Sequence, residues 1–260
     1  KNWFVDFEPT RAKIAAKQAG QDTERAAMAA ISGKPLEEID QLSLEQQEQL
    51  KTTAALFPDA LVDSELGEVP KGWELGELKN IAKFSTDRVN ATELTLENYI
   101  STENMLEGKK GISRATSLPT VKTVPSFEPG QILVSNIRPY FMKIWLARFD
   151  GGRSNDVLGI ITKEPEGAEY LYNLLYQDVF FNFMMTTSKG AKMPRGDKEA
   201  IMGWICVQPS VDIKKAYSEA VSDFYKVIDS NNKENVRLEE TRNALLPKLL
   251  SADIALDSVA

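Results

Sequence analysis

The chain contains no histidine and a single cysteine. The first absence removes from these residues the commonest general base, the commonest zinc ligand and any Ser-His-Asp triad. It leaves carboxylate-metal chemistry open. The lone thiol, Cys206, excludes an internal disulfide and fits a reducing compartment such as the cytoplasm. It lies in the apolar run Trp204-Ile205-Cys206-Val207 and reads as a buried strand residue. No apolar run reaches the ~18 residues of a membrane-crossing helix, and no signal-peptide core is visible. There is no GxxxxGK phosphate loop, no CxxC and no HExxH. Gly151-Gly152, followed by Arg153-Ser154-Asn155, does not make a dinucleotide fingerprint. The Asn-Pro-Pro-Tyr or -Phe signature of adenine methyltransferases is absent as well.

Acidic residues are scarce in the middle of the chain. The net charge is −7, yet residues 108–149 carry Lys109, Lys110, Arg114, Lys122, Arg138, Lys143 and Arg148 against Glu128 alone. A second basic window holds Lys189, Lys192, Arg195 and Lys198 against Asp197. Acidic charge sits on the flanks: residues 1–67 have 7 basic and 12 acidic side chains, whereas residues 68–208 have 17 of each. This layout is expected where the middle of a chain meets phosphates and its flanks meet protein or water. Solvated lysines scattered over a neutral domain would also produce it.

With 42% hydrophobic residues over 260 positions, the chain suits one large domain or one domain plus extensions. Three regions are expected. Residues 1–67 form a helical connector. Pro9 opens a helix over Thr10–Ala19, Asp22 caps one over Thr23–Ile31, and the Ser43/Gln46 capping-box pair starts one over Leu44–Leu56. None shows a strong core stripe, and Asp63–Gly72 reads as a polar turn marking the boundary. Residues 68–208 form an α+β domain on a mostly antiparallel, curled sheet. Strand signals fall at Glu74-Leu75, Tyr99–Ser101, Thr120–Val124, Gln131–Val134, Lys143–Ala147, Val157–Ile161 and Trp204–Val207. A short helix is expected over Leu78–Ala82. A longer one, Ala168–Met185, presents Leu171, Leu174, Leu175, Val179, Phe180 and Phe183 on one broad face, which reads as core.

Residues 209–260 hold a long C-terminal helix, Ile213–Leu249, and a tail. Tyr217, Val221, Phe224, Ile228, Leu238, Leu245 and Leu249 recur at the three- and four-residue spacing of a coiled-coil seam. Asn231, Asn235 and Arg242 interrupt it, as polar residues do where they fix register and partner number. Such a rod is ~55 Å long, more than a domain needs to bury its own core. It reads as a spacer or docking element.

Three loops combine donors suited to nucleic acid. Val134–Tyr140 leaves a strand and offers Ser135, Asn136, Arg138 and Tyr140 within a few residues; arginine can pair with guanine and asparagine with adenine. Gly152–Asn155 offers Arg153 and Ser154. Thr187–Gly196 is basic and small, with Lys189, Gly190, Lys192 and Arg195, and its glycines let backbone approach phosphate closely. Lys109, Lys110 and Arg114 are candidate phosphate contacts. No catalytic or metal-binding residue is identified. Asp59, Glu77 and Lys79 match the spacing of a magnesium-dependent nuclease, but that chemistry needs its acids on adjacent strands, and these lie at helix ends.

Stretches in order along essentially the whole chain carry a family resemblance. They are Trp3–Pro9, Ala55–Asp59, Ser64–Trp73, Tyr99–Met105, Phe127–Pro139, Gly190–Arg195 and the tail Leu238–Ser251. Together they resemble the DNA-specificity (S) subunit of type I restriction-modification enzymes. That resemblance implies a non-catalytic subunit whose recognition domain reads one half of a split double-stranded DNA target. It implies partners that do the chemistry: methyltransferase (M) subunits carrying S-adenosylmethionine, and a restriction (R) subunit using ATP and magnesium. This chain shows one recognition domain and one spacer helix where a full subunit has two of each. It fits equally the second half of a longer subunit and a half-length subunit that forms a homodimer through the long helix. A stand-alone metal-dependent nuclease and a protein-only coiled-coil scaffold are the alternatives.

Overall fold

The computed structural model describes residues 1–164 and 166–251. The four N-terminal helices follow their capping signals. Helix α1 (Glu8–Gln18) carries proline in its first turn. Helix α2 (Thr23–Ser32) is capped by the Asp22 carboxylate, which accepts from the Glu24 and Arg25 amides, and ends at left-handed Gly33. After a single turn, α3 (Leu36–Ile39), the Ser43/Gln46 capping box opens α4 (Leu44–Ala55). These helices are not coreless: Ala27, Met28, Ile39 and Ala54 bury one another in a small core. Two of the four are alanines, so close helix approach replaces the large-residue stripe that periodicity detects.

The segment expected as a polar turn is a hairpin, β1 (Leu61–Ser64) with β2 (Gly67–Pro70), turning at Gly67 in the left-handed region. Beyond it, β3 (Glu74–Glu77) pairs antiparallel with β12 (Ile205–Gln208). Helix α5 (Leu78–Ile81) leads to β4 (Ala82–Phe84), β5 (Arg88–Asn90), β6 (Tyr99–Ile100), β7 (Thr123–Phe127), β8 (Ile132–Ser135), β9 (Ile144–Leu146), β10 (Gly151–Arg153) and β11 (Val157–Thr162). The fold is α+β and mainly antiparallel. Instead of one curled sheet there are two four-stranded sheets, ordered β4-β11-β8-β9 and β5-β7-β10-β6, with β10/β6 the parallel pair among the described residues. Ile100, Met105, Phe127, Leu133, Ala147 and Val157 form a core drawn from strands of both sheets. A second cluster, Leu94, Tyr99, Ala115 and Val124, requires glycine at Gly152, where a Cβ would lie 2.7 Å from Leu94 and Val124 side-chain carbons.

The helix expected over Ala168–Met185 is two helices, α6 (Ala168–Leu175) and α7 (Asp178–Thr186), broken where Gln177 turns extended. The break resets the inward face. Phe180, Phe181 and Met184 are buried, while Val179 is 62% exposed. A short α8 (Lys198–Met202) precedes β12, and α9 (Val211–Leu250) ends the described chain.

The chain forms two compact units, one over Lys1–Ser218 and the next beginning at Glu219. The first includes the N-terminal helices, both sheets and the opening turns of α9. An aromatic cluster joins its distant parts. Phe4 stacks edge-on against Tyr170 (4.7 Å) and Tyr217 (4.9 Å), Trp3 against Phe57 (5.2 Å) and Tyr217 (5.3 Å), and Phe7 against Trp73 (5.8 Å). Tyr170 donates its hydroxyl proton to the Val207 carbonyl. Lys214, buried, pairs with Glu164, and the Ser218 hydroxyl lies 2.9 Å from both the Glu166 carbonyl and the Glu169 carboxylate. Tyr217, read from its spacing as a seam residue, thus packs into this cluster. In the second unit the other seam positions stay open: Phe224 is 69% and Leu238 59% exposed, and Ile228, Asn231, Asn235, Arg242, Leu245 and Leu249 are exposed as well, with Val221 half-buried.

Candidate nucleic-acid interface

Three loops separated in sequence are fastened to one another by backbone hydrogen bonds. The Asn136 amide donates to the Asp156 carbonyl (2.8 Å), and the Asn136 carbonyl accepts from Gly196 (3.1 Å). The Arg138 amide donates to Pro194 (2.8 Å), and Ile137 bridges Arg195. Arg195 and Lys189 exchange both backbone bonds at 2.9 Å, closing the loop between them. A fourth loop joins through Gly108 and Lys109, whose amides donate to Phe141 and Met142 at 2.9 Å. Lys109, Arg138 and Met142 all have positive φ, three of the four non-glycine residues that do so among those described. Such conformations cost of order 1–3 kcal/mol each and persist where surrounding contacts over-determine them.

The cations of this cluster fall into two groups. Lys109 pairs with Asp178 and lies 4.8 Å from the centre of the Tyr176 ring. Lys189 pairs with Asp197, which raises the lysine and holds the carboxyl below its ordinary range. The Arg195 Nη2 lies 3.1 Å from Asp156 Oδ1. Lys110, Arg138 and Lys192 are exposed and form no ion pair with a described residue. Tyr140, 48% exposed, stacks on Phe141 at 4.6 Å, and Gly190 holds the left-handed bend of its loop. The surface therefore offers guanidinium, ammonium and phenol donors over a rigid backbone. That set matches phosphate oxygens and the acceptors on base edges.

Other candidate residues lie inside the protein. Ser135 is buried and donates to the Ile137 carbonyl. Asn136 is 7% exposed, with Oδ1 unpaired, and its backbone holds the loops together. Arg153 is 5% exposed and donates to the Val157 and Ser85 carbonyls, strapping β10 to the other sheet. Burial, with a smaller contribution from Arg88, lowers it to about 10, so it stays charged at neutral pH. The Ser154 hydroxyl is buried without a partner, and Arg114 pairs with Glu97 away from the fastened loops. Burial pushes the Cys206 thiol up to about 12.

Composition pointed to the basic loops and, of their acids, to Asp197 alone. Asp197 lies within the second basic window, whereas Asp156 and Asp178 lie outside both windows and meet the cations only through the fold. Of the nuclease-like residues, Asp59 pairs with Lys17 and Glu77 with Lys79. Among the described residues no group of three acid or thiol side chains is placed to hold a metal ion, and no helix is long and apolar enough to cross a membrane.

No family model matches the chain. It is 28% identical to the type I restriction enzyme HindI specificity subunit of Haemophilus influenzae, over 98% of this chain and 60% of that protein. The resemblance read from the motifs thus extends along nearly all of the sequence, and the chain spans less than two thirds of the curated relative it matches. Among solved structures, the HsdS subunit of Thermoanaerobacter tengcongensis is 17% identical, covering 76% of this chain and 53% of that one, with a TM-score of 0.48. The S subunit of M. genitalium is 14% identical, covering 70% and 46%, with a TM-score of 0.46.

Proposed function

We propose that this chain is a DNA-reading part of a type I restriction-modification specificity subunit. It recognises one half of a bipartite double-stranded target and catalyses nothing itself. The observation that carries the reading is the fastening of the 108–110, 136–142, 154–156 and 189–196 loops into one surface with three unmatched cations, Lys110, Arg138 and Lys192. The 28% identity over nearly the whole chain supports it. Methyltransferase subunits, with S-adenosylmethionine, and a restriction subunit, with ATP and magnesium, are its partners in the cytoplasm. The exposed apolar series on α9, Phe224 to Leu249, meets a second such helix, from the other half of a longer subunit or from a second copy. Asn231 and Asn235 then set the register.

The test is co-expression with cognate methyltransferase subunits, purification of the assembly, and sequencing of methylated sites. Adenine methylation at a split target, lost when this chain is omitted, is the expected result. DNA cutting by the purified chain with magnesium alone would replace this reading with a nuclease. A stable assembly without any sequence preference would leave a protein scaffold.

A further inference from the structure

The geometry points to Arg195, held by Asp156, as the side chain that reads a guanine, with the unmatched cations Lys110, Arg138 and Lys192 on phosphates. This inference rests on the DNA-reading function above and divides the labour within that surface. Base readout needs a donor fork held in a fixed plane, because bidentate pairing to guanine N7 and O6 tolerates little angular error. Phosphate contact needs only charge within reach.

Arg195 meets the stricter requirement. Its Nη2 is engaged by both oxygens of Asp156, at 3.1 and 3.4 Å, and its side chain stays 53% exposed. Four of its five N–H donors remain for a ligand. Both ends of the pair are anchored, through backbone, on one segment, Asn136-Ile137. Asp156 accepts the Asn136 amide, Arg195 bridges Ile137, and the next residue, Gly196, donates back to Asn136. Gly196 permits that packing, since a Cβ there would lie 2.7 Å from Asn136 Oδ1. The carboxylate thus orients the fork before DNA arrives, and little rotamer freedom is lost on binding. Arg138 has a fixed backbone, with φ 49°, but no carboxylate among the described residues braces its side chain. Lys110 and Lys192 are point charges on flexible stems. Asp156 also works against indiscriminate binding, because it repels phosphate beside the fork.

The test uses the assembled methyltransferase complex, with binding-site selection and salt titration for the parent, Arg195→Ala, Arg195→Lys, Asp156→Ala and Arg138→Ala. Arg195→Ala and Arg195→Lys are expected to lose about 5- to 150-fold discrimination for guanine at one position, the lysine variant with an unchanged salt slope. Asp156→Ala relaxes the same position. Arg138→Ala weakens binding to all sequences alike and lowers the salt slope by about one. The assignment is overturned if Arg195→Lys keeps the parent's preference, or if Asp156→Ala leaves that position as selective as before. A parent complex with no sequence preference would instead defeat the DNA-reading function on which the assignment stands.

Discussion

Replacing Phe4 by alanine tests whether the N-terminal segment belongs to the core of the first unit. Phe4 is 7% exposed, with Trp73, Tyr170 and Tyr217 ring centroids 5.9, 4.7 and 4.9 Å away. Truncation removes a buried phenyl and leaves a void between rings that cannot collapse without moving three elements. Large-to-small changes of this kind cost about 3–5 kcal/mol, a sizeable share of the ~5–15 kcal/mol that holds a native domain together. For a unit of this size each kcal/mol lowers the melting temperature by ~2–4 °C, giving a drop of roughly 6–20 °C. Far-UV circular dichroism supplies the melt. Urea titration followed by tryptophan fluorescence supplies the local view, since Trp3 and Trp73 flank the site. Phe4→Leu keeps most of the volume and is expected to lose less than ~1.5 kcal/mol. A Phe4→Ala chain melting within ~2 °C of its parent would refute the reasoning, because no well-packed core phenylalanine can be removed so cheaply.

Two further outcomes follow from positions described above. Phe180→Ala is expected to destabilise by about 3–5 kcal/mol and Val179→Ala by no more than ~0.5 kcal/mol; equal losses would mean that α6 and α7 form one continuous helix. Asp197 lies below its ordinary 3.8, chiefly through the hydrogen bond from Lys189 and then through backbone amides. A depressed carboxyl stabilises the fold above its unfolded value, and that contribution is lost as pH falls through the folded value. Stability of Asp197→Asn should therefore fall less steeply than that of the parent below pH ~4; parallel acid limbs in urea titrations would contradict the ion pair.

Much of the element order was legible in the sequence, because caps and strand patterns act locally. Asp22, Ser43 and Gln46 mark helix starts through bonds to amides two or three residues away, and those bonds are present. Seven expected strand segments overlap strands of the structure. What pattern could not supply was set by partners distant in the chain. Gln177 breaks a helix that periodicity runs straight through, and the two sheets depend on β7 meeting β10 across a long interval. The candidate surface divides the same way. Its basic loops stood out by composition, and Arg138, Tyr140, Lys192 and Arg195 are indeed exposed. The withdrawal of Ser135, Asn136 and Arg153 had no local signal, since donors useful at a surface are equally useful for joining strands inside.

The contact of Trp3 with Tyr217 joins opposite ends of the first unit, and β3 pairs with a strand, β12, that is made long after it. On the ribosome, the nascent chain must wait ~10–40 s, at 5–20 residues per second, between emergence of the first tryptophan and arrival of its last neighbour. For that interval Trp3, Phe4 and Phe7 have no finished core to enter. The natural consequence is a unit that completes its core only once Tyr217 has emerged, and slowly for its size.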